Sequence, residues 1–190
     1  MIFEVLKIVK EELDAYFKDD KLVSLENIAA IEMDKEGGNG NIVILSLINI
    51  QEEFALKNIS NNYIKNSEVN YRNPKVNLNL YILFSSINSG YEEALKNLTK
   101  IIEFFQGKKV FTQDNTNFVR QGDLMQVEDF EFIIRLYTPT FEELNFIWGT
   151  LGGKQFPSVI YKITLLKIER DYVFEKGELI TEVNHNFKNK

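Results

Sequence analysis

The chain has 190 residues, of which 44% are hydrophobic and 26% are charged, a composition typical of a globular domain with a sizeable core. Its formal net charge of −6 argues against nucleic acid or an anionic membrane as a partner, because both need a basic surface. The chain has no cysteine and no apolar run near the roughly 18 residues that span a bilayer, which excludes disulfides and thiol chemistry and argues against a membrane-spanning helix.

The first half of the sequence predicts one helix and two long strands. Apolar residues at three-to-four spacing predict a helix over residues 2–17, and the acidic residues within it argue against a signal peptide. Residues 22–31 are ambiguous and could form a strand, and the glycine-rich residues 35–41 predict a turn. Strands are predicted over residues 42–50 and 76–86, separated by a long polar loop, Gln51–Asn73.

The second half predicts two helices that each follow a strand. Ser89–Glu92 matches a capping box and predicts a helix over residues 90–106. A second polar loop, Gln113–Gln126, precedes a strand predicted over 129–137. Another capping box, Thr140–Glu143, begins a helix predicted over 140–151, and the last strand is predicted over 158–168. The helix over 90–106 is predicted to carry on one side Tyr91, Leu95, Leu98, Ile102 and Phe105.

This order of elements predicts an α/β fold, a single mixed β-sheet with helices packed on it. The sheet domain is expected to cover residues 1–170, followed by a short polar C-terminal tail over residues 171–190. The predicted core consists of large apolar residues on the inward faces: Leu6, Leu13, Leu45, Leu80, Ile82, Phe84, Leu98, Ile102, Phe132, Ile134, Leu144, Trp148 and Ile163.

Side chains that commonly perform catalysis are sparse in this sequence. The sole histidine, His185, lies in the polar tail and has no partners for a catalytic triad or a metal site. Adjacent acidic residues such as Glu92 and Glu93 point about 100° apart on a helix, so they favour a helix start over a shared catalytic site. Gly37–Gly40 lacks the spacing of a phosphate loop and indicates a hairpin turn. We therefore expect no enzyme, no cofactor and no metal.

Four segments of the sequence carry a resemblance to a known family. They are LSLINIQEEFALKN (Leu45–Asn58), NPKVNLNLYILFSS (Asn73–Ser86), YEEALKNLTKIIEFFQGKKVF (Tyr91–Phe111) and the run Trp148–Gly153 with the PSVIYK that follows it. In this order they resemble the cap-protein family of extracellular phage-tail-like contractile injection systems, whose N-terminal domain was first described as one of unknown function. Lys75 is a departure, since the family commonly has a second proline there. Some members carry a further C-terminal region.

The resemblance implies a tail-terminator-like fold and a ring, expected to be a hexamer. Such a ring would end the inner tube and the sheath at the end of the particle distal to the baseplate. The implied partners are copies of the chain itself, the tube protein and the sheath protein, with no nucleic acid and no membrane. We expect synthesis and assembly in the cytoplasm, after which the protein is part of a released or anchored particle.

Polar and aromatic residues of the matched segments are candidate assembly contacts. They are Asn49, Glu52, Glu53, Asn58, Asn73, Pro74, Tyr81, Gln106, Trp148 and Tyr161. Trp148 also fits a core position by its helical spacing. Both long polar loops are further candidates, because loops longer than about 12–15 residues are usually functional or disordered. Two alternatives to a terminator stay open: an adaptor that docks cargo or another particle component as a monomer, and an enzyme with an unrecognised carboxylate site.

Overall fold

The structure is a computed structural model and describes residues 1–19, 21–31, 41–53, 62–65, 68–72, 76–117, 121–124, 130–168 and 173–178. The chain divides into two units, Met1–Glu52 with Leu78–Leu166, and Glu53–Asn77 with Lys167–Lys190. The helices are α1 (Ile2–Phe17), α2 (Tyr91–Gly107) and α3 (Phe141–Thr150). The strands are β1 (Val23–Leu25), β2 (Ile42–Glu52), β3 (Asn62–Lys65), β4 (Glu68–Arg72), β5 (Val76–Ile87), β6 (Val110–Thr112), β7 (Glu131–Tyr137), β8 (Ser158–Ile168) and β9 (Val173–Glu178).

The first unit is built around a six-stranded mixed sheet with the order β1-β2-β5-β8-β7-β6. The short edge strand β1 is parallel to β2, whereas β2 and β5, β7 and β8, and β6 and β7 are antiparallel pairs. The pairing of β2 with β5 runs from Ile42 opposite Ile87 to Glu52 opposite Leu78, with a register shift between Leu47 and Asn49. That shift adds one residue to β2, which changes the face on which its later side chains lie.

Helices cover both faces of this sheet. Successive strand residues point to opposite faces, so Val43 and Leu45 of β2 join the cluster that includes α1 and α2. Ile44, between them, joins a second cluster with Trp148 of α3. The sheet is therefore the middle layer of three, with α1 and α2 on one side and α3 on the other.

Aromatic rings fill much of the core between the sheet and α2. Phe84 is fully buried, and its ring lies 5.6 Å from that of Phe105 and 5.9 Å from that of Tyr161. Phe111 of β6 stacks on Phe132 of β7 with ring centres 5.2 Å apart. Burial raises the pKa of the Tyr161 hydroxyl to about 12, so this side chain is uncharged at physiological pH.

The predicted fold class, a mixed sheet with helices packed on it, is confirmed, and the predicted helices and long strands occur within a few residues of their expected bounds. The predicted core is also buried, with two exceptions. Ile102 is 43% exposed, so its assignment to the core was wrong, and Leu144 is half-buried at the margin of the α3 cluster. The expected capping box at Ser89 was wrong too, because Gly90 is the N-cap of α2 and no side chain caps it.

The prediction of a loop over Gln51–Asn73 was wrong for the part that forms β3 and β4. These strands pair with each other, and β4 pairs with β9, in a three-stranded antiparallel sheet of the second unit. Strand β9 lies within the range predicted as a polar tail. The sequence explains the pairing of β3 with β4 in hindsight. Strong strand formers occur in β3 (Tyr63 and Ile64) and in β4 (Val69 and Tyr71), with polar residues between the two segments.

The described residues of the second predicted loop, Gln113–Gln126, contact the helices and the core. The buried carboxylate of Glu12 in α1 accepts from the Lys108 ammonium at 2.5 Å and from the backbone N–H of Asn117. A 3₁₀ turn, Gly122–Leu124, places Leu124 in the core with 2% of its surface exposed. The predicted hairpin turn at Gly37–Gly40 and the tail residue His185 lie outside the described residues.

Candidate functional site

A groove of about 650 Å³ lies between α3 and the sheet, and we call it the α3 groove. Strand β2 supplies its wall from Ile48 to Gln51, and Tyr81 of β5 and Tyr137 at the end of β7 complete the sheet side. The helix side consists of Glu143, Phe146, Ile147, Thr150 and Leu151. Its lining is mostly apolar and aromatic, with a few polar groups.

The register of the sheet places the tyrosines in the groove. Asn49 lies opposite Tyr81 because of the extra residue in β2. The Tyr81 ring meets the Tyr137 ring edge-on at 5.1 Å, and its hydroxyl donates to Gln51 Oε1 at 3.0 Å. The ammonium of Lys162 lies 5.7 Å from the centre of the Tyr81 ring, over its face. These contacts hold Tyr81 in one orientation on the groove wall.

Helix α3 is fixed at both ends, and this defines the helical wall of the groove. At its start the Thr140 hydroxyl accepts from the Glu143 N–H, and the Glu143 carboxylate accepts from the Thr140 N–H, a complete capping box. At its end Gly152 and Gly153 take positive φ angles, and the Gly153 N–H donates to the Trp148 carbonyl. The capping box predicted at Thr140–Glu143 is thus confirmed.

Glu143 also determines the electrostatics of the groove. The Tyr137 hydroxyl donates to Glu143 Oε1 at 3.3 Å. Desolvation raises the pKa of the Tyr137 hydroxyl, and the negative charge of Glu143 raises it further. Tyr137 is therefore a neutral donor at physiological pH, and Glu143 is the only formally charged residue among those that line the groove.

The capping box gives a direct test of this arrangement. We expect Thr140→Ala to lower the free energy of unfolding by about 1 kcal/mol, because an orphan N–H at the start of α3 loses its acceptor. Ser89→Ala is the matched control, since the Ser89 hydroxyl does not cap α2, and it should change stability by less than about 0.5 kcal/mol. Chemical denaturation of both variants provides the measurement, and equal losses would contradict the assignment.

Strand β2 has an open edge next to the groove. On the side away from β5, its pairing with β1 covers only Val43–Leu45, and no other strand of the described part of the chain pairs there. The side chain of Asn49 accepts from the Ile50 N–H at 2.9 Å. A polar side chain that bonds its own strand in this way reduces the tendency of an open edge to pair with other chains.

A second exposed apolar surface lies on α2, and we call it the α2 stripe. It consists of residues at i, i+4, i+8, i+11 and i+15, namely Tyr91, Leu95, Thr99, Ile102 and Gln106. At about 100° per residue they lie within about 80° of one another around the helix. Tyr91 is 68% exposed, and Leu95 and Ile102 are each 43% exposed. The five residues include no charged side chain, although α2 carries five charges elsewhere.

The structure brings some of the sequence-predicted contact residues together and separates others. Asn49 and Tyr81 meet on the groove wall, and Gln106 ends the α2 stripe. Trp148 and Tyr161 are buried within the chain, at 5% and 2% exposure. Glu52 and Glu53 are half-buried at the end of β2 and beyond it, whereas Asn58, Asn73 and Pro74 lie outside the described residues.

Sequence reasoning missed most of the groove, including Tyr137, Phe146 and Ile147. Phe146 is 65% exposed, and a large exposed aromatic off the apolar stripe of its helix is a signal that could have been found. Among the described residues, no group of three or more His, Cys, Asp or Glu side chains could hold a metal ion. In the same part of the chain, no helix combines the length and apolar character needed to cross a membrane.

Comparison with known proteins identifies one family, and the similar solved structures include the two described here. Residues 4–182 match the family model described as the Pvc16 N-terminal domain. A sheath/tube terminator of an extracellular contractile injection system, PVC, in its extended state has a TM-score of 0.65 at 16% identity, over 100% of this chain and 64% of that one. The tube-terminating cap of the anti-feeding prophage has a TM-score of 0.59 at 15% identity, over 96% of this chain and 60% of that one.

The chain thus spans less than two thirds of the length of both proteins. No curated protein matches the sequence. At these identities the two structures establish a shared fold, and the tail-terminator-like architecture expected from the sequence is confirmed on that ground.

Proposed function

This chain belongs to the Pvc16 N-terminal domain family, and we propose on that basis that it is a structural cap of a contractile injection system. In this role a ring of copies, expected to be a hexamer, ends the inner tube and the sheath at the end distal to the baseplate. Its partners are copies of itself, the tube protein and the sheath protein. Synthesis and assembly take place in the cytoplasm, and the protein then becomes part of the extracellular particle.

One observation carries this proposal. The fold of this chain is shared, over 100% and 96% of its residues, with two proteins described as a sheath/tube terminator and a tube-terminating cap. The likeness to the first of these proteins spans the whole chain, including the six-stranded sheet and its helices. A function that depends on the whole domain, such as ring formation, is better supported by this likeness than one that depends on a few side chains.

The physics of open assemblies explains why a chemically inert domain suffices. A tube or a sheath grows because each ring offers the next ring the same mating surface, so growth has no intrinsic stop. A cap needs one surface that fits the last ring and contacts that close its own ring. It also needs an opposite surface to which no further ring can bind. Exposed apolar surfaces such as the α3 groove and the α2 stripe provide contacts of this kind.

We propose that the protein is not an enzyme. The two structures that share its fold are described as caps, and the groove contains one carboxylate with two tyrosines but no nucleophile–base pair among its lining residues. Glu143 itself is engaged in the capping box and with Tyr137, which suits a positioning role.

The candidate contacts retained for assembly are those on the surface. Asn49, Tyr81 and Gln106 belong to the α3 groove or the α2 stripe, and Glu52 ends the open edge of β2. We propose that these residues contact neighbouring subunits. Buried Trp148 and Tyr161 would act on assembly indirectly, through the sheet and α3 that they support.

Electron microscopy of the purified protein, alone and mixed with assembling tube protein, tests this function. We expect closed rings, and we expect tubes that carry a ring at one end to stop elongating there, because that end no longer offers a mating surface. Tube protein without the cap serves as the control. A monomer that binds tube, sheath or cargo without forming rings or stopping growth would show that the protein is an adaptor.

A further inference from the structure

We propose that, in the ring, the α2 stripe of one copy lies in the α3 groove of the next copy. This inference rests on the proposed ring and names the two surfaces that close it. It assigns a partner to two apolar surfaces that the fold of a single chain leaves exposed.

The α2 stripe has the properties of a helix face that binds in a groove. Its five residues extend over about 22 Å, at 1.5 Å per residue, and the apolar ones recur at the spacing by which helices present anchors to a partner. Phe104, on the opposite side of α2, contacts Tyr16 of α1 with ring centres 5.2 Å apart. Helix α1 therefore packs beside α2 away from the stripe and leaves it accessible.

The α3 groove offers a concave counterpart. Its wall contains Ile50, which is 45% exposed, and Phe146, which is 65% exposed, above the half-buried Ile48, Ile147 and Leu151. Apolar side chains exposed on a concave surface are unfavourable in water and become favourable when a convex apolar surface covers them. A helix face is such a surface.

A second copy of the chain is the occupant that fits both surfaces. A closed ring of more than two copies needs heterologous contacts, in which one surface meets a different surface on the neighbour. The α2 stripe and the α3 groove lie in different layers of the same domain, on opposite faces of the sheet, so one copy can use both at once. A stripe that met another stripe would form a closed pair and leave the groove uncovered.

The charges of the two surfaces agree with this pairing. Each copy carries a formal charge of −6, so copies repel one another. A stable contact between copies should therefore not place carboxylates of one copy opposite carboxylates of the next. The stripe has no charged residue, and its Tyr91, Thr99 and Gln106 side chains include hydrogen-bond donors. The groove has a single carboxylate, Glu143, which accepts such donors.

The apolar area exposed by the two surfaces is also adequate for an interface between copies. Taking roughly 200 Å² for an aromatic side chain and somewhat less for an aliphatic one, the exposed fractions of Tyr91, Leu95, Ile102, Ile50 and Phe146 leave about 500 Å² of apolar surface. A standard interface buries about 1,600 Å², of which roughly 900 Å² is apolar. The two surfaces thus supply more than half of the apolar area before the partly buried lining of the groove is included.

Cross-linking tests the pairing directly, because the natural chain has no cysteine. Thr99 lies on the stripe and Thr150 in the groove, both are exposed, and each hydroxyl bonds only to a carbonyl of its own helix among the contacts described. Thr99→Cys and Thr150→Cys are therefore mild substitutions. We expect a mixture of the two variants, treated with a short bis-maleimide, to give a covalent dimer that neither variant gives alone. Ala15→Cys, exposed on α1, is the control and should not cross-link to either.

The outcomes separate this inference from the proposed function. Rings seen by electron microscopy without the mixed cross-link would overturn the pairing and leave the cap function intact. A covalent dimer formed by the Thr99→Cys variant on its own would also overturn the pairing, since the α2 stripe of one copy would then meet the α2 stripe of another. A protein that forms no rings and no mixed cross-link, even with tube protein present, would overturn both proposals.

A charge placed on the stripe provides a second measurement. Leu95→Glu should reduce the fraction of protein in rings by about tenfold or more, because a carboxylate would be buried against an apolar wall. Ala15→Glu adds the same charge at another exposed helix position and should leave the ring fraction unchanged. Circular dichroism of both variants verifies folding, and equal effects of the two substitutions would contradict the proposal.

Discussion

Particles from cells that lack this protein are expected to show a broad distribution of tube lengths, or sheaths that detach or contract prematurely. The reason is that an open helical polymer has no intrinsic stop. Removing the proposed terminator would therefore leave tube growth limited only by the supply of subunits. The sheath also loses a component that is proposed to join its last ring to the tube.

Length histograms from electron micrographs of wild-type, deletion and complemented strains provide the measurement. The complemented strain controls for effects on neighbouring genes. The three candidate functions give different results: loss of an adaptor would leave length unchanged and empty the lumen of cargo, and loss of an enzyme would leave morphology unchanged. A narrow, wild-type length distribution with stable sheaths in the deletion strain would rule out the terminator function.

The position of α2 was predictable from the sequence, but its rotation was not. The helix was predicted to bury Ile102, whereas its buried face consists of Ala94, Asn97, Leu98, Ile101 and Phe105. From hydrophobicity alone, an asparagine such as Asn97 is expected on the exposed side of the helix. Asn97 is buried because its amide donates to Asn41 Oδ1 at 2.5 Å and to Ser86 Oγ at 3.3 Å. Asn41 lies 56 residues away in the sequence, so no local pattern indicates the first of these contacts.

That rotation is also why the α2 stripe was not recognised. Spacing placed Tyr91, Leu95 and Ile102 on one side of α2, and Ile102 was assigned to the core. The structure turns these three residues outward. In contrast, the four long strands of the six-stranded sheet, β2, β5, β7 and β8, were predictable, because their apolar runs or alternating patterns indicate strands without any knowledge of their partners.

The α3 groove could not be predicted, because its parts come from four separate elements of the chain. The position of Asn49 opposite Tyr81 depends on the register of β2 with β5, and that register contains an extra residue after Leu47 that no local pattern indicates. Asn49 and Tyr81 were named as candidate contacts through the family resemblance, but their meeting on one wall is a property of the folded sheet.

The sequence assigned both Phe84 and Ile102 to the core, but the structure buries only Phe84, so alanine substitutions at the two positions should differ in their effect on stability. Phe84→Ala should lower the free energy of unfolding by about 3–5 kcal/mol, because it removes a fully buried ring that contacts Phe105 and Tyr161 and leaves a cavity. Ile102→Ala is the matched control from the same predicted core. With 43% of its surface exposed, it should cost less than about 1 kcal/mol.

Denaturant titrations of both variants, at one low protein concentration so that self-association contributes equally, measure the difference. Losses of similar size would mean that α2 is rotated as the sequence pattern predicted and that the α2 stripe does not exist as an exposed surface. If Ile102→Ala instead keeps its stability while fewer rings form, the residue acts between copies. The pair of measurements therefore distinguishes a side chain that holds one chain together from a side chain that joins two.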